Sequence, residues 1–277
     1  MSDTNLVYAY AVLRRTPEAA AAAAHLRGVA GEPIHLVDPA VTSPPLAFAV
    51  GHVPPADYDD APLQAHLDDL DWLESTVRSH HAVVAALVAS GAAVLPLRLA
   101  TVYRDEDTAR QALDTRRGYF LSLLDRLTGH VELGVKIYAA PDITPPETDT
   151  DTDPGQDPVT GLGVGRAYQV IRRRRQRRNE EAWRTVAQAA ARLTETAGTL
   201  AVDRVTHTPE RGSLAGTAPG TNIGNDAYLV PKDRVTAFRT GILTAAQGVP
   251  GLRVEITGPW APYSFALQPE AHEETAA

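Results

Sequence analysis

The chain has 277 residues, of which 44% are hydrophobic and 22% charged, a composition typical of a folded protein with room for two domains. Its formal net charge of −8 disfavours general binding to nucleic acid or anionic membranes, although a local basic segment can override that balance. Cysteine is absent, which excludes disulfides and thiolate metal sites, and residues 1–5 lack the basic start of a signal peptide. We therefore expect a cytoplasmic protein.

The first 128 residues alternate short apolar runs with helical patterns. Thr16 precedes Pro17, which predicts the capped start of a short alanine-rich helix. Apolar residues recur every three or four positions over 63–89, which predicts one long helix or two end to end, and helical spacing returns over 105–127. Short β-type runs predict strands at 6–13, 33–37, 46–50 and 93–97. Together these elements predict an N-terminal α+β domain at residues 1–128.

Residues 129–277 show a different order of elements. Strands are predicted at 131–138, 199–206, 227–230 and 252–257, and helices at 166–197 and 233–246. The resulting order, β-α-β-β-α-β, is typical of a ferredoxin-like domain. Within it, residues 140–163 are rich in Pro, Asp, Thr and Gly, which predicts a mobile acidic loop. A C-terminal tail follows the last strand.

Several patterns resemble ligand sites without matching them. Alternate aspartates at 149–153 suggest a calcium loop, but Pro154 and Thr160 stand where an EF-hand has Gly and Glu. The glycines at 161, 163 and 165 fit neither a Walker motif nor a dinucleotide fingerprint. The nine histidines show no zinc-ligand spacing, and no Gly-x-Ser-x-Gly elbow is present. We therefore predict no catalytic residue, cofactor or metal, although a carboxylate pair could escape notice in a sequence.

The most unusual segment is the arginine block, RRRRQRR at residues 172–178, with six arginines in seven positions. The apolar stripe of the predicted helix includes Ile171 before the block and resumes after it. The helix positions that would continue the stripe through the block are occupied by arginines, among them Arg174, Arg175 and Arg178. An interrupted stripe indicates a helix segment that leaves its sheet.

Three environments fit these arginines: solvent, a partner protein, or acidic segments of the first domain such as 68–71 or 105–107. We take Arg174, Arg175 and Arg178 as candidate partner-binding residues. An arginine-rich regulator that binds nucleic acid is the alternative, because arginine pairs well with phosphate. The acidic net charge and the lack of a known nucleic-acid motif argue against it.

The last predicted strand leads into GPWAPYSF at residues 258–265, which resembles the GPWPPYSF ending of the gas vesicle protein F/L family (GvpF/GvpL). Ala261 replaces a proline of that motif. Other matches follow the family order along nearly the whole chain: YAY at 8–10, DWLE at 71–74 with His80 or His81 behind it, VLPLR at 94–98, ELGVKIY at 132–138, GRAY at 165–168 and NDAYLV at 225–230.

The resemblance implies a non-enzymatic minor component or assembly factor of gas vesicles, the gas-filled protein shells that give cells buoyancy. It also implies that the protein contacts the small hydrophobic major shell protein and other accessory proteins. Through the first contact it would limit aggregation of the shell protein. The implied fold has an α+β domain followed by a modified ferredoxin-like domain. In the C-terminal motif, Trp260 and Tyr263 either clamp the tail onto a core, which we favour, or contact a partner.

Overall fold

The computed structural model describes residues 5–41, 43–145, 164–209 and 220–266, with side chains of the helix that begins at Val164 described from Ile171 onward. The protein is a mixed α and β structure with two sheets. It divides into two compact units, which we describe separately. The first unit comprises residues 1–132 and 259–277, and the second comprises residues 133–258.

Helices and strands follow one another along the whole described chain. The strands are β1 (Leu6–Leu13), β2 (Ile34–Val37), β3 (Ala47–Val53), β4 (Val94–Pro96), β5 (Val102–Tyr103), β6 (His130–Ala139), β7 (Asp203–Thr206), β8 (Thr221–Pro231) and β9 (Leu252–Trp260). The helices are α1 (Pro17–Ala24), α2 (Pro55–Tyr58), α3 (Asp60–Leu67), α4 (Leu70–Ala89), α5 (Glu106–Thr115), α6 (Arg117–Leu127), α7 (Val164–Leu200), α8 (Val235–Ala246) and α9 (Tyr263–Ala266). Among the described residues no helix has an apolar stretch long enough to cross a bilayer.

The first unit is built on an antiparallel sheet of order β2-β3-β1-β4, with β5 also paired to β1. Every residue of β1 from Val7 to Leu13 is buried, so both faces of this strand are covered. Tyr8 and Tyr10 pack on one face with residues of α1 and α4. On the opposite face, Phe48 of β3 meets Phe120 of α6 edge to face. The sheet therefore lies between two layers of helix.

The second unit carries a four-stranded sheet of order β7-β8-β6-β9. Alternate residues of β6 are buried, and they pack against α7 and α8 in one cluster. The long helix α7 contributes residues spaced three or four apart, which places them on one side of the helix. Its buried residues are Val186, Ala189, Leu193 and Ala197.

The arginine block lies on α7, before the first of these buried residues. All residues from 171 to 178 are exposed, including Arg174, Arg175 and Arg178. Ile171, which the apolar pattern predicts to be part of the core stripe, is 65% exposed. A 37-residue helix is about 55 Å long, well beyond the width of a four-stranded sheet. Among the residues whose side chains are described, which begin at Ile171, the packed part of the helix therefore starts only after the block.

The acidic loop predicted at 140–163 is described only in its first part, because residues 146–163, with the alternate aspartates and two of the glycines, lie outside the described residues. The first six residues differ from the expected mobile loop. Ile143 is buried, and the Thr144 amide donates to Asn179 Oδ1 at 3.0 Å. Asn179 Nδ2 returns a hydrogen bond to the Thr144 carbonyl at 2.9 Å. These contacts hold residues 140–145 against α7.

The C-terminal segment, residues 259–266, also differs from expectation. The sequence predicts that it belongs to a domain at 129–277, but the structure groups it with the first unit. The physical reason is local, since Glu132 accepts hydrogen bonds from Ser264 and Tyr263 packs on the core cluster of the first unit. The first unit therefore contains two stretches that are distant in the chain.

Candidate functional site

The first unit contains an apolar cavity of about 750 Å³, hereafter the Trp260 cavity. Its wall combines one side of α4 with residues from three other places in the chain. The lining residues are Glu74, Val77, Arg78, His80, His81, Leu99, Glu132, Trp260 and Tyr263. The volume lies within the range of small-molecule pockets, and it also suits several apolar side chains of a protein partner.

Helix α4 forms the floor of the cavity. Asp69 caps its first turn by accepting from the amides of Asp71 and Trp72 at 3.0 and 3.2 Å. The apolar pattern predicts a buried stripe that includes Leu70, but Leu70 is 77% exposed. The side that faces the core instead carries two polar residues among its apolar ones. Its buried residues are Thr76, His80, Val83, Val84 and Leu87.

His80 is buried and hydrogen-bonded on one side of its ring only. Its Nδ1 lies 3.0 Å from the Tyr8 hydroxyl, which accepts a hydrogen bond from the Ala100 amide at 3.0 Å. The hydroxyl is then free to donate to Nδ1, which places the imidazole proton on Nε2. Nε2 has no hydrogen-bond partner among the described residues. A polar ring atom is thus left over at the wall of an apolar cavity.

Burial determines the charge of His80. Desolvation, with a smaller contribution from the neighbouring His81, lowers the pKa of His80 to about 4, although the Leu97 backbone opposes this shift in part. His80 is therefore neutral at neutral pH. Desolvation also lowers the pKa of His81, which lies at the surface and meets the Tyr263 ring edge to face at 4.7 Å. The cavity wall thus carries two histidines that resist protonation.

The C-terminal segment closes the cavity through α9. Glu132 Oε2 accepts from the Ser264 amide and Oε1 from the Ser264 hydroxyl, both at 2.8 Å. This arrangement fixes Tyr263, whose hydroxyl is buried without a hydrogen-bond partner among the described residues. Burial, with the negative charge of Glu132, raises the pKa of Tyr263, so the phenol stays protonated.

The two aromatic residues of the C-terminal motif have different environments. Tyr263 packs against the core cluster of the first unit, as expected for a residue that clamps the tail. Trp260 lines the same cavity but is 54% exposed. A half-exposed tryptophan beside an apolar hollow has the character of an interface anchor. The structure therefore brings Trp260 and Tyr263 together but suits them to different roles.

The candidates from the sequence separate into two groups. Trp260 and Tyr263 lie at this cavity, whereas Arg174, Arg175 and Arg178 lie on α7 of the second unit. The burial of His80 has no counterpart among the predictions made from the sequence. One signal was available, since a histidine four positions after Thr76 and three before Val83 lies on one helix face with both.

We predict that His80 makes the first unit less stable in acid. Unfolding exposes an imidazole of ordinary pKa 6.5, so the unfolded chain takes up a proton between about pH 6.5 and 4 that the folded chain does not. Stability should fall over that window by up to about 3 kcal/mol. His80→Asn keeps an acceptor for Tyr8 but cannot titrate. In urea unfolding across this pH range, the free energy of unfolding should fall less with decreasing pH for His80→Asn than for the unmodified chain. The exposed-site control His25→Asn should lose stability as the unmodified chain does. Equal curves of stability against pH for all three proteins would contradict the prediction.

The unpaired Tyr263 hydroxyl generates a second prediction. Tyr263→Phe removes a buried polar atom that lacks a partner, so the melting temperature should stay unchanged or rise. Tyr263→Ala should cost about 2 kcal/mol or more, because it empties a packed site. Tyr8→Phe is the matched control, since its hydroxyl has two partners and its loss should cost about 1–3 kcal/mol. Similar destabilisation by both Phe substitutions, measured by thermal unfolding, would refute this account.

Comparison with known proteins adds an independent line of observation. A family model described as "Gas vesicle synthesis protein GvpL/GvpF" matches residues 6–267. Gas vesicle protein L of a Streptomyces species is 38% identical over 275 residues, covering 99% of this chain and 98% of its own length. Gas vesicle protein F2 of Halobacterium salinarum is 25% identical over 199 residues, covering 71% of this chain and 70% of its own.

Crystal structures of GvpF share the fold. The protein from Anabaena sp. PCC7120 superimposes with a TM-score of 0.63 at 19% identity, covering 96% of this chain and 97% of that one. The protein from Microcystis aeruginosa superimposes with a TM-score of 0.62 at 17% identity, and the match covers 96% of this chain and 100% of that one.

Proposed function

Because the chain belongs to the GvpL/GvpF family of gas vesicle proteins, we propose that it is a non-enzymatic accessory protein, either a minor structural component or an assembly factor. In this proposal it binds the hydrophobic major shell protein and limits its aggregation while vesicles nucleate. It acts in the cytoplasm, in association with gas vesicles and their other accessory proteins. The absence of any recognised catalytic motif in the sequence supports a role in binding rather than chemistry.

The Trp260 cavity is the observation that carries this proposal. Six of its nine lining residues belong to segments that carry the family resemblance, namely Glu74, His80, His81, Glu132, Trp260 and Tyr263. An apolar hollow beside a half-exposed tryptophan fits a very hydrophobic partner, because burial of apolar surface drives such association.

We also propose that the second unit is a modified ferredoxin-like domain. Its elements run β6, α7, β7, β8, α8, β9, which is the β-α-β-β-α-β order. The strand order β7-β8-β6-β9 supports this assignment, since the first and last strands are neighbours and the two middle strands form an antiparallel pair.

Trp260→Ala tests the binding proposal. The side chain is half exposed, so the melting temperature should change little, while affinity for the shell protein should fall about tenfold or more. Leu243→Ala on α8 is the matched control, because Leu243 is 57% exposed and does not line the cavity. Light scattering of the shell protein with each variant reports aggregation. If the shell protein aggregates equally with and without the unmodified chain at equimolar ratio, the assembly role is wrong. If Trp260→Ala limits aggregation as well as the unmodified chain and Leu243→Ala do, the cavity is the wrong surface.

The arginine block supplies a second proposed contact, through Arg174, Arg175 and Arg178. These side chains are exposed on α7 and carry three positive charges on an acidic protein, which suits an acidic surface of a partner. The triple serine variant should weaken the complex several-fold, with the largest difference at low salt. Arg184→Ser with Arg192→Ser, exposed positions later on the same helix, is the control. A fall in melting temperature without a change in binding would mean that the block pairs within the chain instead.

Because the arginine block is exposed, a second candidate function is that of a regulatory protein that binds nucleic acid. A mobility assay over a salt series distinguishes the two, because phosphate contacts give an affinity that falls steeply as salt rises. Tight binding to nucleic acid, lost in the triple variant, would favour that alternative over the gas vesicle proposal.

A further inference from the structure

A cluster of two imidazoles and one carboxylate lies in the first unit, among residues that do not line the Trp260 cavity. His35 comes from β2, His52 from β3 and Glu106 from the first turn of α5. Glu106 Oε1 is 2.8 Å from His35 Nε2 and 3.5 Å from His52 Nε2. One atom of each side chain lies within 4.8 Å of an atom of the other two. Three groups of metal-binding type thus converge from separate elements.

The backbone accounts for this convergence. In the antiparallel pairing of β2 and β3, His35 is opposite Val50, so His52 lies two residues farther on and on the same face. Asp105 caps α5 by accepting from the Thr108 amide at 2.7 Å, which fixes Glu106 in the first turn. The sheet and the cap therefore direct all three side chains to one point, and the arrangement does not depend on a flexible loop.

A simple hydrogen bond explains only part of the geometry. The His35–Glu106 distance is that of an ordinary hydrogen bond, but 3.5 Å from His52 is beyond the usual N–H···O range. Ligand atoms about 2.0 Å from a tetrahedral zinc ion lie about 3.3 Å apart. The two distances to Glu106 Oε1 fall on either side of that value, so each histidine needs only a small shift relative to Glu106 to share a metal ion with it.

We propose that His35, His52 and Glu106 form a binding site for a divalent transition-metal ion of the zinc type. Two imidazole nitrogens and one carboxylate oxygen suit Zn²⁺ better than the oxygen-preferring ions Mg²⁺ and Ca²⁺. Three protein ligands leave a fourth position for water. The three side chains are 37–41% exposed, so the ion exchanges with solvent.

The surroundings favour a cation. His52 also borders a polar hollow of about 320 Å³ whose lining includes the carboxylates of Glu32 and Asp57. The nearest arginine on α5, Arg110, forms an ion pair with Asp107 and donates to the Asp38 carbonyl at 3.1 Å. A bound ion would connect β2, β3 and α5 and so stabilise the first unit. The sequence predicts no metal because these ligands are far apart in the chain and follow no short motif.

Zinc titration of the full, untagged chain after chelator treatment tests the site. Calorimetry should show one equivalent of Zn²⁺ bound, and a tenfold excess of Mg²⁺ or Ca²⁺ should not displace it. His35→Gln, His52→Gln and Glu106→Gln should each weaken Zn²⁺ binding by at least about tenfold, whereas the exposed His25→Gln should bind as the unmodified chain does. Zinc should raise the melting temperature of the unmodified chain and of His25→Gln only.

Failure to fold would not obscure the result, because circular dichroism of each metal-free variant reports folding separately. Unchanged zinc affinity in the His35→Gln, His52→Gln double variant would overturn the proposal, and so would the absence of zinc uptake by the unmodified chain. Neither result bears on shell-protein binding, which Trp260 tests independently.

Discussion

The hydrogen bonds from Ser264 to Glu132 hold the C-terminal segment in the first unit, and the Trp260 cavity depends on them. One carboxylate engages both the amide and the hydroxyl of a single serine. Charged acceptors give the stronger class of hydrogen bond, so a four-residue helix that could not persist alone is kept in place. Without this contact Tyr263 would lose its position against His81, and Trp260 would no longer border a hollow.

The cavity wall departs from the usual pairing of buried polar groups. His80 and Tyr263 each carry a buried polar atom without a partner among the described residues, whereas most such atoms in folded proteins are paired. Both groups are uncharged at neutral pH, His80 because burial lowers its pKa and Tyr263 because burial raises a pKa that already lies well above neutrality. These two polar groups therefore add no charge to a wall whose ionic side chains are Glu74, Arg78 and Glu132.

Much of the fold could be predicted from local pattern. The strand expected at 6–13 is Leu6–Leu13, and the Thr16 cap is present, because both depend on neighbouring residues only. The stretch 63–89, for which the sequence predicts one long helix or two end to end, forms two helices, because Asp69 caps a new one. β5 was missed because two residues give no periodicity. The family motif identified Trp260 and Tyr263, but their cavity needs Glu132 and α4, which no local pattern connects to them.

The path of the chain has a consequence for biosynthesis. The first unit begins at the N-terminus, yet it includes residues after 258, so the entire second unit is made before its last piece exists. Domains generally start to fold as they leave the ribosome. A nascent chain therefore carries a nearly complete first unit with an open wall, and Trp260 and Tyr263 are added only after the second unit has been synthesised. The Trp260 cavity therefore forms last, after every other described strand of both sheets has been synthesised.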